Sequence, residues 1–482
     1  MLCKKISSGE TFATTFWPAV EYFEKVSPNS DDLKFFVSFS PSFSLNNISF
    51  ENESLPKIIP LFYAYRWTEL KPFNQFGFSS TFKGFEIFAN MDLKVEPANY
   101  LIKRDEINFP IPQGAFYNLP LDMNFPRRGY LKYSNENFFL QIGRTKLKWG
   151  SSEFPLTISD SSPYFDNISF SYRFDYAKNK SFTYSYSLIS VDPDLTATES
   201  YLQSKNVSNG VIYNEPSKTI VAHRLDFKLG KNFRMGVGEL NLIGGKVIDL
   251  QDISPLIIFH NIYSAPYQNV LGSFDFSWVI VPNFMLYGEI AFDDIRLLSE
   301  SEKSPMEYGL SFGGRFSSNA LNGNFVGSIE FSHTSDWMYN CRTQPYLKFS
   351  NRVVMMSNFP SGMNFFDYPI GFKYGQSADM LSVTLNYFRE NMEFKNQLLF
   401  LRKGNLNFEN YYYENLEKTL TNYFILVSKS LFKNVFLKNL DIFADIHLQF
   451  QKKEKPRVDL SVGFEYSLVF KEIAEIFSGF IN

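Results

Sequence analysis

No run of 18 or more apolar residues occurs in this chain, so it cannot cross a membrane as a helix. Cysteine is almost missing. Cys3 and Cys341 stand alone in 482 residues, too few for a disulfide framework or a cysteine-built metal site, and both are read as free thiols. Histidine occurs only at His223, His260, His333 and His447, and no two are spaced as paired ligands on a helix, so no zinc signature exists. A charge excess is lacking too. The net charge of −3 removes the electrostatic case for nucleic-acid binding or for a basic membrane-surface patch. There is no G-x-S-x-G, no Walker-type phosphate loop and no dinucleotide fingerprint. The stretch GLSFGGRF at 309–316 is not followed by a helical pattern and reads as a strand with small residues. No enzyme, no cofactor and no metal site is expected from these residues.

Aromatic residues are abundant: 54 Phe and 28 Tyr. They fall in alternation. Ile168, Phe170, Tyr172, Phe174 and Tyr176 share one face of an extended run; Ser169, Ser171, Arg173 and Asp175 share the other. A period of two marks a strand with one apolar and one polar side. The same pattern recurs at 181–188, 221–229, 273–280, 440–450 and 458–470. On its aromatic face His223 is expected at a membrane interface, whereas His447 falls on the polar face.

Short turns at 178–180, 230–232 and 281–283 alternate with long connections near 150–166, 191–217, 243–267, 294–305 and 334–344. Strands of membrane-spanning length, joined by short turns at one end and long loops at the other, describe an up-and-down antiparallel barrel in an outer membrane. A soluble sandwich would need a second sheet to cover its apolar face. A closed barrel instead turns that face to lipid and leaves no edge. The expected fold is therefore an all-β transmembrane barrel of about 18 strands. Residues 1–34 show a short amphipathic stripe (Phe12, Phe16, Val20, Phe23) and read as a periplasmic helical segment. Residues 35–75 read as strands or a plug-like segment, 76–470 as the barrel, and 471–482 as a periplasmic tail. Met1 to Lys5 leads into polar Ser7, Ser8, Gly9 and Glu10, so no signal peptide is visible.

Candidate ligand residues cluster around the long connections. Arg144, Lys146 and Trp149 end the strand before the first of them. Cations beside an aromatic ring suit a sugar chain, and equally suit an aromatic girdle with snorkelling bases. Asp160 and Asp166 lie in that connection, and Asp293 and Asp294 open another. Paired carboxylates can hydrogen-bond sugar hydroxyls or hold calcium; they also interlock loops. Arg173, Arg224 and Asp226 occupy polar-face positions that would line the lumen.

The string IGRTKLKWGSSEFPLTISDSSPYFDNISF (142–170) resembles the Gly-Arg, Trp-Gly and Ser-Pro-x-x-Asp segment of the Wzi family of capsule assembly proteins. AHRLDFKLGKNFRMGVGE (222–239), SPLIIFHN (254–261), FMLYGEIAFDDI (284–295), FSHTSDWMYN (331–340) and PIGFKYGQSADMLSVTLNYF (369–388) follow in the order of that family. The resemblance, spanning roughly 100–390, implies an outer-membrane lectin barrel that holds capsular or other surface polysaccharide at its extracellular rim. Its partners would be that polymer and outer-membrane lipid, and it would be monomeric. A porin or substrate-specific channel is the alternative.

Overall fold

The structure is a computed structural model. It describes residues 32–46, 71–72, 74–93, 127–195, 199, 201, 215–256, 267–294, 306–341, 345–358, 362–406, 408, 418–452 and 454–471. The helical stripe at 12–23 and the tail from 472 onward lie outside the described residues.

The wall begins with β1 (Asp32–Phe39) and β2 (Ser42–Asn46). It continues with β3 (Asn74–Phe82), β4 (Phe85–Leu93), β5 (Arg128–Ser134), β6 (Phe138–Thr145), β7 (Phe165–Ala177), β8 (Lys180–Ser190), β9 (Glu215–Leu229) and β10 (Phe233–Gly245). Next come β11 (Gln268–Val281), β12 (Phe284–Asp294), β13 (Glu307–Ala320) and β14 (Gly323–Thr334). A hairpin outside the wall, β15 (Ser350–Asn358) and β16 (Gly362–Pro369), forms a two-stranded sheet of its own among the described residues. The wall then resumes with β17 (Ala378–Arg389), β18 (Met392–Gly404), β19 (Leu420–Phe432), β20 (Leu440–Gln451) and β21 (Arg457–Lys471).

Every wall strand pairs antiparallel with its neighbours in the chain, and β21 pairs back with β1. β1 and β2 share one register on β21: Phe39 faces Tyr466 and Ser42 faces Gly463. They are two halves of a single wall strand. Pro41 interrupts it because it has no N–H to donate, though its carbonyl still accepts from Phe464 N at 3.2 Å. The wall is thus a closed barrel of 18 antiparallel strands. One of the 18, at 32–46, precedes residue 74; it begins within the 1–34 stretch, continues into the 35–75 stretch and closes the cylinder. The hairpin β15–β16 takes no part in the wall.

The alternation has the consequence expected of it. Leu131, Ile142, Ile168, Phe174, Phe274, Phe312, Ile329, Leu385, Phe400 and Val462 form an exposed apolar band around the circumference. Ser169, Ser171, Thr183 and Ser187 are buried on the inside. An apolar band running round a whole molecule is far larger than a water-facing surface carries, and fits a lipid-facing wall. Tight turns close one end, as at Leu321 and Asn322, where φ of 53° and 58° gives the left-handed pair that matches strand twist. The long connections all leave the other end.

Candidate functional site

The connection after β6 does not stand above the rim. It folds into the bore. Trp149 N donates to Ile158 O (3.0 Å), closing the segment on itself. Phe154, Leu156 and Ile158, spaced by two, are buried. They pack on inward residues from the upper ends of the wall strands, among them Ile220, Leu240, Leu242, Leu271, Met380, Leu399 and Leu401. At that level the inner face is apolar, so several strands carry apolar residues on both faces, as at Ile220–Val221–Ala222. The upper bore therefore holds an apolar core where this segment lies.

Below the core the segment is held by wall carboxylates. Glu289 on β12 accepts from Leu156 N (3.0 Å), Thr157 N (2.9 Å) and the Thr157 hydroxyl (2.6 Å). Glu330 on β14 accepts from Glu153 N (2.6 Å), Phe154 N (3.0 Å) and the Tyr287 hydroxyl (2.8 Å). Glu153 in turn accepts from Ser328, Thr384 and Gln397 at 2.6, 2.7 and 2.9 Å. Arg315 donates to Ser151 O (3.3 Å). Leaving β6, the segment thus reaches β12, β13, β14, β17 and β18, and so crosses the bore. Hydrogen bonds to a charged acceptor are about twice as strong as neutral ones.

Arg224 is an interior cation that bridges two acids. Its guanidinium meets Asp226 (2.7 Å) and Asp275 (2.6 Å), all three buried. Asp226, Gly236 and Asp275 lie side by side on β9, β10 and β11. Only a glycine at 236 lets Arg224 lie across β10: a Cβ there would sit 2.2 Å from Nη2. Two residues on, Gly238 leaves room for Trp149, whose ring a Cβ would approach to 3.3 Å. Arg224 lies 5.8 Å from that ring, within cation–π range.

A second lock joins the loops above the wall. Glu199, from the connection after β8, is buried with Lys348, Arg352 and Asp367 of the hairpin segment. Asn351 Nδ2 ties the hairpin to the inward segment through Ser162 Oγ (2.7 Å) and Tyr164 O (2.8 Å). Tyr339 OH donates to Leu156 O (2.6 Å) and accepts from Phe372 N (2.9 Å). Burial alone would raise the Glu199 carboxyl, but Lys348 and Arg352 outweigh it and hold it at about 2. The same cations overcome burial at Asp367 and lower it as well. Carboxylates lowered on folding contribute stability above their unfolded values and lose it as pH falls through the folded ones. The lock is expected to be intact at neutral pH, to weaken below the ordinary glutamate value of 4.5 and to fail near 2. Pepsin cleavage within 345–369 should therefore be absent in mild acid and appear only toward the lower limit.

The ten candidate residues do not form one site. Arg224, Asp226 and Trp149 come together inside the bore. Arg144 and Asp166 pair bidentately on the outward face at the loop end (2.7 Å for both contacts), with Tyr164 beneath the guanidinium at 4.0 Å. They border an outward groove of about 500 Å³. Lys146 donates to Asp160 O (2.9 Å) at the exposed mouth. Arg173 pairs with Asp175 (3.3 Å) near the short turns. Asp293 is buried on β12; the side chain of Asp294 lies outside the described residues. The residues that hold the plug, Glu153, Glu289 and Glu330, carry no sequence signal beyond inward-facing acids.

With this geometry in view, comparisons with known proteins bear on the fold. Among solved structures the chain is similar to Wzi of Escherichia coli, an outer-membrane protein involved in group 1 capsule assembly and a carbohydrate-binding β-barrel. Identity is 12%, 93% of this chain and 86% of that chain are covered, and the TM-score is 0.55. OccAB4 of Acinetobacter baumannii matches at 10% identity over 93% of this chain and all of that one, with TM-score 0.44. OccK5 of Pseudomonas aeruginosa matches at 12% identity over 91% and 97%, with TM-score 0.40. No family model and no curated protein matches the sequence. The chain has the fold of a large outer-membrane β-barrel.

Proposed function

We infer that this protein is a non-enzymatic outer-membrane barrel of the Wzi kind, which holds capsular or other surface polysaccharide at its extracellular rim. The observation that carries the reading is the inward segment 146–164. It crosses the bore, packs an apolar core and is latched on the far wall, an investment that a diffusion channel does not need. Carbohydrate binding by the barrel of similar fold supports the ligand class. Lys146, Asp160 and the Arg144–Asp166 pair are accessible at the rim and are the proposed polymer contacts. Trp149, Arg224 and Asp226 serve from below by seating the segment that carries Lys146 and Asp160.

The test is a deletion strain complemented with the wild-type chain or with Lys146→Ala/Asp160→Ala. Deletion should leave total polymer unchanged and lower the cell-retained fraction, and the double variant should restore retention only partly. Unchanged retention on deletion sinks the lectin reading. In planar bilayers the wild-type chain should conduct poorly; steady ohmic conductance with solute selectivity would favour the channel instead.

A further inference from the structure

The outward face of the barrel is not uniformly exposed. On β10 the outward residues alternate as Met235, Val237, Glu239, Asn241 and Ile243. Val237 is 43% exposed, whereas Glu239, Asn241 and Ile243 are buried. On the adjoining strands Val221, His223 and Tyr186, outward by the same alternation, are buried as well. Over Tyr186, Val221 and Ile243 the cover is the connection after β10. Ile253 packs against the outward cluster of Tyr186, Val221 and Ile243. Tyr186 OH donates to Ile253 O (2.7 Å), and Tyr184 OH donates to Pro255 O while bonding His223 Nδ1 (2.8 Å). The start of the segment is pinned by Ser217 OH to Lys246 O at 2.5 Å. Residues 246–256 are therefore a strap folded down the outside of the barrel.

Depth can be read along β8. Outward charged groups mark the upper edge of the apolar band: Arg144–Asp166 on β6 and β7, and His333–Asp379–Arg402 on β14, β17 and β18. Asp166 is in register with Ser190 on β8. The strap reaches Tyr186 and Tyr184, four and six residues further down, which is roughly 13–20 Å along the strand. That is within the zone where the rest of the wall carries Ile168, Phe174 and Phe274. Hydroxyl groups facing lipid find no water to bond, and here both tyrosines are given carbonyl acceptors by the strap. The strap's own charges are paired, Lys246 with Asp252 (2.5 Å) and Asp249 (3.5 Å), and Asp249 and Asp252 bond each other's amide N–H (3.0 and 3.2 Å). Beside the exposed polar Asp249 and Gln251 it turns three apolar side chains outward: Val247, Leu250 and Leu256 are 70%, 83% and 87% exposed.

We propose that residues 246–256 form a membrane-inserting strap whose Val247, Leu250 and Leu256 side chains enter the acyl layer of the outer leaflet. Continuity with the lipid-facing band identifies lipid as the occupant. Lys246 and Asp249 stay with the headgroups, and the strap shields the Tyr184–His223 pair on the wall from the acyl layer. Interfacial anchoring by a few apolar tips beside charged groups is a known balance of burial and hydration.

The experiment labels the full chain in liposomes with an environment-sensitive fluorophore at one cysteine, in a Cys3→Ser/Cys341→Ser background. Leu250→Cys and Leu256→Cys are compared with Phe174→Cys on the lipid-facing wall and Glu136→Cys in an exposed short turn. The strap positions should show blue-shifted emission, quenching by bromine-labelled lipid and resistance to aqueous iodide, as Phe174→Cys does. Iodide quenching like that of Glu136→Cys overturns the proposal. So does protection that appears only at densities where cross-linking traps dimers, because the occupant is then a second copy. Strap exposure is read independently of polymer retention, so its failure and that of the lectin reading are separable.

Discussion

Replacing Glu289 and Glu330 together by glutamine should free the plug. Each carboxylate accepts from two consecutive backbone amides of the inward segment, one on each oxygen. A glutamine keeps one acceptor and turns the other into a donor, so in either flip one N–H meets an N–H. A buried amide left without its acceptor costs about 1–3 kcal/mol, and the lost charge weakens the remaining bond. At about 2 kcal/mol per site the two together amount to about 4, or about a thousandfold more frequent opening. Hydrogen exchange at Glu153, Phe154, Leu156 and Thr157 should accelerate by about that factor while exchange in the wall strands stays slow. The same variant should show bursts of conductance absent from the wild type. Unchanged exchange would mean that the apolar core alone seats the segment.

The wall was legible in the sequence because a strand that faces lipid outside and polar groups inside must alternate, and Ile168 to Tyr176 does so without a break. The short turns were legible for the same reason, since each separates two alternating runs by a few polar residues. The plug was not. Phe154, Leu156 and Ile158 also alternate, but Pro155, Ser151 and Ser152 give them the composition of a surface connection, and nothing local says that the bore is their solvent. The signal that could have pointed inward lies elsewhere, in Ile220–Val221–Ala222 and Leu240–Asn241–Leu242–Ile243. There alternation lapses because both faces of the strand are covered, by the plug within and by the strap without. Glycines were equally mute. Gly236 and Gly238 read as small strand residues, and only the pairing of β9, β10 and β11 shows that one is the floor under Arg224 and the other the seat of Trp149.

That floor makes Gly236 the position where the smallest change should have a large effect on stability. In Gly236→Val the new side chain would occupy the space of the Arg224 guanidinium, with its Cβ 2.2 Å from Nη2, 2.7 Å from Cζ and 2.9 Å from Asp275 Oδ2. The guanidinium ends a flexible side chain and can swing aside, but doing so breaks its contacts with Asp226 and Asp275 together. Two buried carboxylates would then have lost the guanidinium that bridges them, and breaking a buried ion pair from one side costs about 3–5 kcal/mol. Arg224→Met should cost a similar amount for the same reason. Thermal unfolding followed by the loss of compact gel mobility gives the readout, and both variants should melt below the wild type. The decisive measurement is the rescue. Replacing the whole triad by neutral residues, as in Arg224→Met/Asp226→Asn/Asp275→Asn, leaves none of the three groups charged, and such replacements are often neutral. Adding Gly236→Val to that background should then cost far less than it does in the wild type, because the shorter methionine can yield the space. If valine is equally damaging in both backgrounds, the glycine is required by the strands themselves and not by the arginine that lies across them.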